Sequence, residues 1–89
     1  MSPTSFSFKL TVPNDPEGAT VVALMAAHAV EYAAIEAAAG EAFVERVRAM
    51  ALPVLKGGGT DGCHVAFTAE QGRLTVTVGG HSLSEPLPA

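Results

Sequence analysis

Apolar and polar side chains alternate strictly from Ser5 to Val12. This two-residue period is typical of a strand with one buried face, so the segment is predicted to form the first strand. Its apolar face carries Phe6, Phe8, Leu10 and Val12, and its polar face carries Ser5, Ser7, Lys9 and Thr11. The next residues are predicted to start a helix, because Asp15 suits the N-cap and Pro16 suits the first helical position.

Two helices are predicted from apolar residues that recur every three or four positions. The first is expected to extend from about Pro16 to Ala38 and to end or turn at Gly40. Its predicted core stripe consists of Val21, Leu24, Met25, His28, Tyr32 and Ile35. The second is expected to begin near Glu41, and Pro53 to kink or end it. Its predicted apolar side consists of Phe43, Val44, Val47, Met50, Ala51 and Val54.

Two further strands are predicted at about residues 63–69 and 73–78, where alternation returns on both sides of a short turn that contains Gly72. The predicted fold is therefore α+β, a two-layer α/β sandwich of βααββ order with a three-stranded sheet and two helices on one face. The last two strands are expected to be antiparallel. The orientation of the first strand stays open, because an excursion through two helices allows either direction.

Length and composition indicate one small domain over residues 1–80, followed by a flexible C-terminal tail over residues 81–89, where Pro86 and Pro88 oppose regular structure. Alanine supplies much of the apolar content and buries little area per residue, so the core is expected to be thin. A domain of 89 residues buries a modest share of its surface and would gain stability from self-association.

Charge and cysteine content narrow the classes of partner. The formal net charge is −4, with only five Lys and Arg residues, which argues against binding to nucleic acid or to an anionic membrane. No apolar run approaches the roughly 20 residues of a membrane span. The single cysteine cannot form an internal disulfide. These features favour a cytoplasmic protein.

The order of strand, "TVPNDPEG", two helices, glycine-rich loop and the hairpin "VAFTAEQGRLTVTV" resembles the histidine-kinase-like ATPase domain in its small anti-sigma-factor form. The resemblance spans roughly Phe6 to Gly80. It lies in the order of the secondary-structure elements and in the spacing of the apolar residues. It implies a second helix with a Glu-x-x-x-Asn motif for the nucleotide's magnesium, and an Asp-x-Gly motif for adenine after the last strand.

The sequence departs from the motifs of that family. Glu45 matches the family's glutamate, but Ala49 stands four residues later in place of asparagine. After the last predicted strand, Gly79 stands where the family has aspartate. The resemblance therefore implies a degenerate, truncated relative that retains the scaffold for protein contacts.

Few residues are candidates for catalysis, metal binding or phosphate binding. Cys63 and His64 are adjacent on a predicted strand and should point to opposite faces, so no catalytic dyad is predicted. His28 is interpreted mainly as a semi-buried histidine. No set of His, Cys and Asp residues shows a recognised metal-ligand spacing, so neither a metal nor a cofactor is predicted. The glycine run Gly57-Gly58-Gly59 could bind a phosphate through its backbone N–H groups. It lacks, however, the Gly-Lys-Ser/Thr ending of a P-loop.

Three functions follow from these observations. The first is a non-catalytic regulatory or protein-interaction domain that resembles a degenerate anti-sigma or kinase-like ATPase scaffold and forms a homodimer through a sheet edge or a helix. The alternative is a small-ligand or nucleotide-binding domain, and its candidate binding residues are His28, Glu45, Gly57, Gly58, Gly59 and Asp61. The least favoured is an enzyme that uses Cys63 or a histidine.

Overall fold

A computed structural model describes residues 5–56 and 62–87 as one antiparallel sheet with two helices. The order of elements along the chain is β1 (Phe6–Val12), α1 (Pro16–Tyr32), α2 (Ala37–Lys56), β2 (Cys63–Glu70), β3 (Arg73–Val78) and β4 (His81–Pro86). The strands lie side by side in the order β1-β2-β3-β4. Buried and less buried positions alternate along β2 and β3, so one face of the sheet supports the helices. The predicted α+β class is confirmed.

The predicted three-stranded sheet is wrong, and so is the predicted flexible tail over residues 81–86, because His81–Pro86 form a fourth strand. Residues 88 and 89 lie outside the described residues. Gly79 adopts a left-handed φ of 60° in a two-residue turn, a position that glycine favours in tight hairpins. The turn places Val76 opposite Leu83, which packs against the core. Pro86 is tolerated because it lies on an edge strand.

The first strand, whose orientation the sequence left open, is antiparallel to β2. Phe8 lies opposite Phe67, and their rings stack with centroids 4.9 Å apart. Because the sheet order begins with β1, this strand forms one edge of the sheet and β4 forms the other. The central strands β2 and β3 carry the most deeply buried residues of the sheet.

Both predicted helix boundaries near residue 38 are wrong. α1 ends at Tyr32, and the chain reverses through Ala34, which adopts a left-handed φ of 59°. The backbone N–H of Ile35 then donates to the carbonyl of Val30 at 3.0 Å, a bond typical of a helix C-terminus. Gly40 does not end a helix but lies inside α2, where a Cβ would approach Val30 Cγ2 to 3.2 Å.

For the second helix, the buried residues were predicted more accurately than the position of its end. Phe43, Val47 and Ala51 are fully buried, as the helical period predicts. Leu55 joins them, because α2 continues past Pro53 to Lys56. The missing amide of Pro53 therefore costs one hydrogen bond inside the helix but does not end it.

Alanine forms much of the buried face of α1. Ala19, Val22, Ala26 and Ala29 are at most 2% exposed. The predicted core stripe is wrong in four positions, since Val21, Leu24 and Tyr32 are 38%, 58% and 73% exposed. The fourth is His28, which was interpreted as semi-buried but is exposed. The small alanine side chains let the helix lie close to the sheet, and the larger apolar residues are left on an adjacent side.

Gly18 is required by a close contact, although glycine is normally unfavourable in a helix. A Cβ at this position would lie 2.1 Å from the carbonyl oxygen of Pro13, which is backbone and cannot move aside. We therefore expect Gly18→Ala to lower the free energy of unfolding by about 1–3 kcal/mol, measured by urea denaturation. Gly80→Ala is the matched control, because Gly80 has neither a left-handed φ nor any atom within 4 Å of an added Cβ. A Gly18→Ala variant as stable as the wild type would contradict the contact.

Candidate functional site

The most unusual surface feature is an apolar stripe on the open side of α1. It consists of Val21, Leu24, His28 and Tyr32, which recur at three- and four-residue spacing and are all exposed. At 100° per residue, this exposed stripe is centred roughly 140° around the helix from the buried alanine face. The stripe therefore lies outside the contact with the sheet, on the side of α1 that also carries the exposed Glu17 and Glu31.

The edge strand β1 lies next to this stripe. The Phe6 ring meets the Tyr32 ring edge-on at a centroid distance of 5.2 Å, and it stacks at 6.0 Å from Phe8. A hollow of about 290 Å³ opens between the strand and the helix. Its lining consists of Phe6, Phe8, Met25, His28, Ala29 and Tyr32. We call the outer edge of β1, this hollow and the exposed stripe together the β1–α1 surface.

Charge is nearly absent from the hollow of the β1–α1 surface. His28 is the one ionisable side chain in the hollow's lining other than the Tyr32 phenol. Lys9 projects from the opposite face of β1, because neighbouring strand residues alternate in direction. Water in an apolar hollow finds few hydrogen-bond partners, so covering the hollow with an apolar group is favourable.

The two edges of the sheet differ in composition. β4 presents Ser82, Ser84, Glu85 and Pro86, residues that oppose pairing with a further strand. Its Glu85 also accepts a 2.7 Å ion-paired hydrogen bond from Arg46 of α2, which fastens this edge to the helix layer. Over residues 5–56 and 62–87, no strand pairs with the outer edge of β1. The edge beside the exposed stripe is therefore the more receptive one.

The candidate ligand-binding residues are not gathered in one place. His28 lines the hollow beside β1, whereas Glu45 lines a separate groove of about 590 Å³ between the two helices. That groove also includes Glu31 and Glu41 at its rim. Gly57, Gly58, Gly59 and Asp61 lie outside the described residues. Binding of a nucleotide or small ligand by this set stays a prediction.

The cysteine and its neighbouring histidine occupy opposite faces of β2. Cys63 is buried under the helices, while His64 is exposed on the outer face, where its ring lies 3.3 Å from the Thr11 hydroxyl. Within the part of the chain that the structure describes, no three His, Cys, Asp or Glu side chains are grouped to hold a metal ion. This part of the chain likewise contains no helix that is both long and apolar enough to cross a bilayer.

Comparisons with family models, with curated proteins and with solved structures found no match to this chain. The resemblance to the histidine-kinase-like ATPase domain therefore stays a prediction that rests on layout alone.

Sequence reasoning found the residues of the exposed stripe but assigned them to the core. The signal that could have separated the two faces was the alanine spacing. Ala19, Ala26, Ala29 and Ala33 recur with a helical period and define the face that lies on the sheet. Once that face is filled, the bulkier apolar residues must lie beside it.

Proposed function

We propose that this chain is a non-catalytic regulatory domain that binds another protein chain through the β1–α1 surface. The observation that carries the proposal is the exposed stripe on α1, which continues into the apolar hollow beside β1. Contiguous exposed apolar surface in a small domain is typical of an interaction site. We also propose a cytoplasmic location, which the free, buried Cys63 fits.

The chemistry of the stripe supports protein binding. Tyrosine and phenylalanine supply large contact areas, and such residues are enriched at the centres of protein interfaces. Tyr32 also keeps a phenol group that can bond at the rim of an interface. The exposed edge of β1 adds backbone N–H and C=O groups, which pair with an extended strand in β-augmentation.

The proposed kinship with an ATPase scaffold is compatible with this role. In that proposal, Glu45 and Ala49 occupy the positions of the magnesium motif on α2, and both are exposed. The methyl group of Ala49 has no oxygen to offer a metal ion. The scaffold would then serve protein binding without nucleotide turnover.

Site-specific photo-crosslinking tests the proposal. A photoreactive phenylalanine analogue replaces Leu24, which is 58% exposed in the stripe. The same analogue at Ala49, exposed on α2, is the matched control. After irradiation in the cells that make the protein, we expect one discrete covalent adduct from the Leu24 position and none from the Ala49 position.

The mass of that adduct identifies the class of partner. An adduct of twice the chain mass of 9.1 kDa indicates a second copy, and any other discrete mass indicates a different protein. Absence of an adduct from Leu24, or equal labelling from both positions, would overturn the proposed binding surface.

A further inference from the structure

Resting on the proposed function, we propose that the occupant of the β1–α1 surface is a second copy of this chain. The two β1 strands pair antiparallel about a two-fold axis at Phe8 and join two four-stranded sheets into one. The two exposed stripes then pack against each other on the helix side. Four features of the structure lead to this arrangement.

The first feature is the free edge itself. β1 is seven residues long and contains no proline. Its outward N–H and C=O groups have no strand partner among the described residues. A second antiparallel strand would satisfy these groups with an unbroken ladder.

The second feature is the alternation of faces, which limits the register. Directly opposite residues in an antiparallel pair point to the same face of the sheet. If both helix layers are to lie on one side of the joined sheet, the apolar residues of one β1 must lie opposite apolar residues of the other. These residues are Phe6, Phe8 and Leu10. A shift by one residue would place each apolar residue opposite a polar one and separate the two helix layers.

The third feature is Lys9, which rules out one of the remaining registers. An axis at Lys9 would set two ammonium groups directly opposite each other, which destabilises a strand pair. An axis at Phe8 instead places Lys9 opposite Ser7 and Phe6 opposite Leu10. The two Phe8 rings meet on the axis, each already stacked on Phe67 of its own sheet.

The fourth feature is the position of α1 over the sheet. α1 packs against both β1 and β2, so its axis lies near the midline between them. Strands are about 4.8 Å apart, which places the two α1 axes about 9.6 Å from each other across the joined sheet. Packed helices have interaxial distances of about 8–10 Å, so the exposed stripes would be in contact.

The surface is therefore complementary to itself, as a two-fold interface requires. Apolar residues of β1 meet apolar residues, the one lysine meets a serine, and the stripes are spaced for helix packing. A strand of another protein could pair with the same edge, but its apolar and polar residues would not have to match those of β1. This self-complementarity favours a second copy.

Cysteine pairing tests both the partner and the register. Two single variants, Ser7→Cys and Lys9→Cys, are made in a Cys63→Ala background so that no other thiol is present. With the axis at Phe8, position 7 of one copy lies opposite position 9 of the other. Mild oxidation of an equimolar mixture should give mixed dimers of the two variants at least tenfold in excess of either variant paired with itself.

Each other outcome overturns the inference. A Lys9→Cys variant that oxidises mainly with itself would place the axis at Lys9. No disulfide above that of a Ser84→Cys control on β4, in variants shown by circular dichroism to be folded, would exclude pairing through β1. In that case a photo-adduct of different mass from Leu24 would leave the proposed interaction surface standing with another partner.

Discussion

Replacing Phe67 with alanine is expected to lower the free energy of unfolding by about 3–5 kcal/mol. Phe67 is fully buried at the centre of β2, and its ring stacks on Phe8 at 4.9 Å. The alanines of α1 are too short to fill the space that a lost ring would leave. Because small domains have total stabilities of about 5–15 kcal/mol, much of the variant should be unfolded in mild denaturant.

Urea denaturation at one fixed, low protein concentration measures this effect without a contribution from association. Tyr32→Ala is the matched control, because Tyr32 is also aromatic but 73% exposed. We expect the control to lose less than about 1 kcal/mol. If the two variants were equally stable, the core would not lie between β2 and the helices.

Replacing Leu24 with glutamate is expected to raise the dissociation constant of the dimer about a hundredfold, or about 2.7 kcal/mol. The carboxylate would lie among the apolar side chains of the two exposed stripes, which contain no lysine or arginine, so it carries a desolvation cost. The two-fold axis places two such carboxylates in each interface. The folded monomer should keep its stability, since Leu24 is 58% exposed in it.

Sedimentation equilibrium over a range of concentrations gives the dissociation constants. Ala49→Glu adds the same charge to an exposed position on α2 and should leave the constant within a few-fold of the wild type. Equal effects from the two substitutions would indicate a response to net charge, which is already −4 per chain, and would contradict a specific contact at Leu24.

The elements predicted correctly from the sequence are those whose residue pattern reflects burial of a single face. In β1 the two-residue alternation follows directly from burial of one face, and the structure places Phe6, Phe8 and Leu10 on that face. The helical period likewise located Phe43, Val47 and Ala51 of α2 in the core. The N-cap was also identified correctly, since the Asp15 carboxylate accepts a 3.1 Å hydrogen bond from the Gly18 amide.

The fourth strand could not be predicted from its own composition. Leu83 is its one strongly apolar residue, and Pro86 argues against a strand. It forms because β3 provides backbone hydrogen-bond partners along its length and because the turn at Gly79 reverses the chain. Pairing between segments is a tertiary effect that local propensity does not contain.

The exposed stripe was misassigned because α1 has apolar residues around most of its circumference. Both Val22 and Val21 fit a helical period, yet Val22 is fully buried and Val21 is 38% exposed. Hydrophobicity alone favours the larger residues as core, whereas the close approach of α1 to the sheet selects the alanines. The candidate site was therefore present in the sequence, but hydrophobicity alone did not separate it from the core; the period of the alanines was the signal that could have done so.

Amide hydrogen exchange at two protein concentrations tests the central claim most directly, which is that two copies join through β1 and not through β4. We expect the outward amides of β1 to exchange more slowly as concentration rises, while those of β4 keep one rate at both concentrations. Concentration-independent exchange along β1, or slowing confined to β4, would contradict the account.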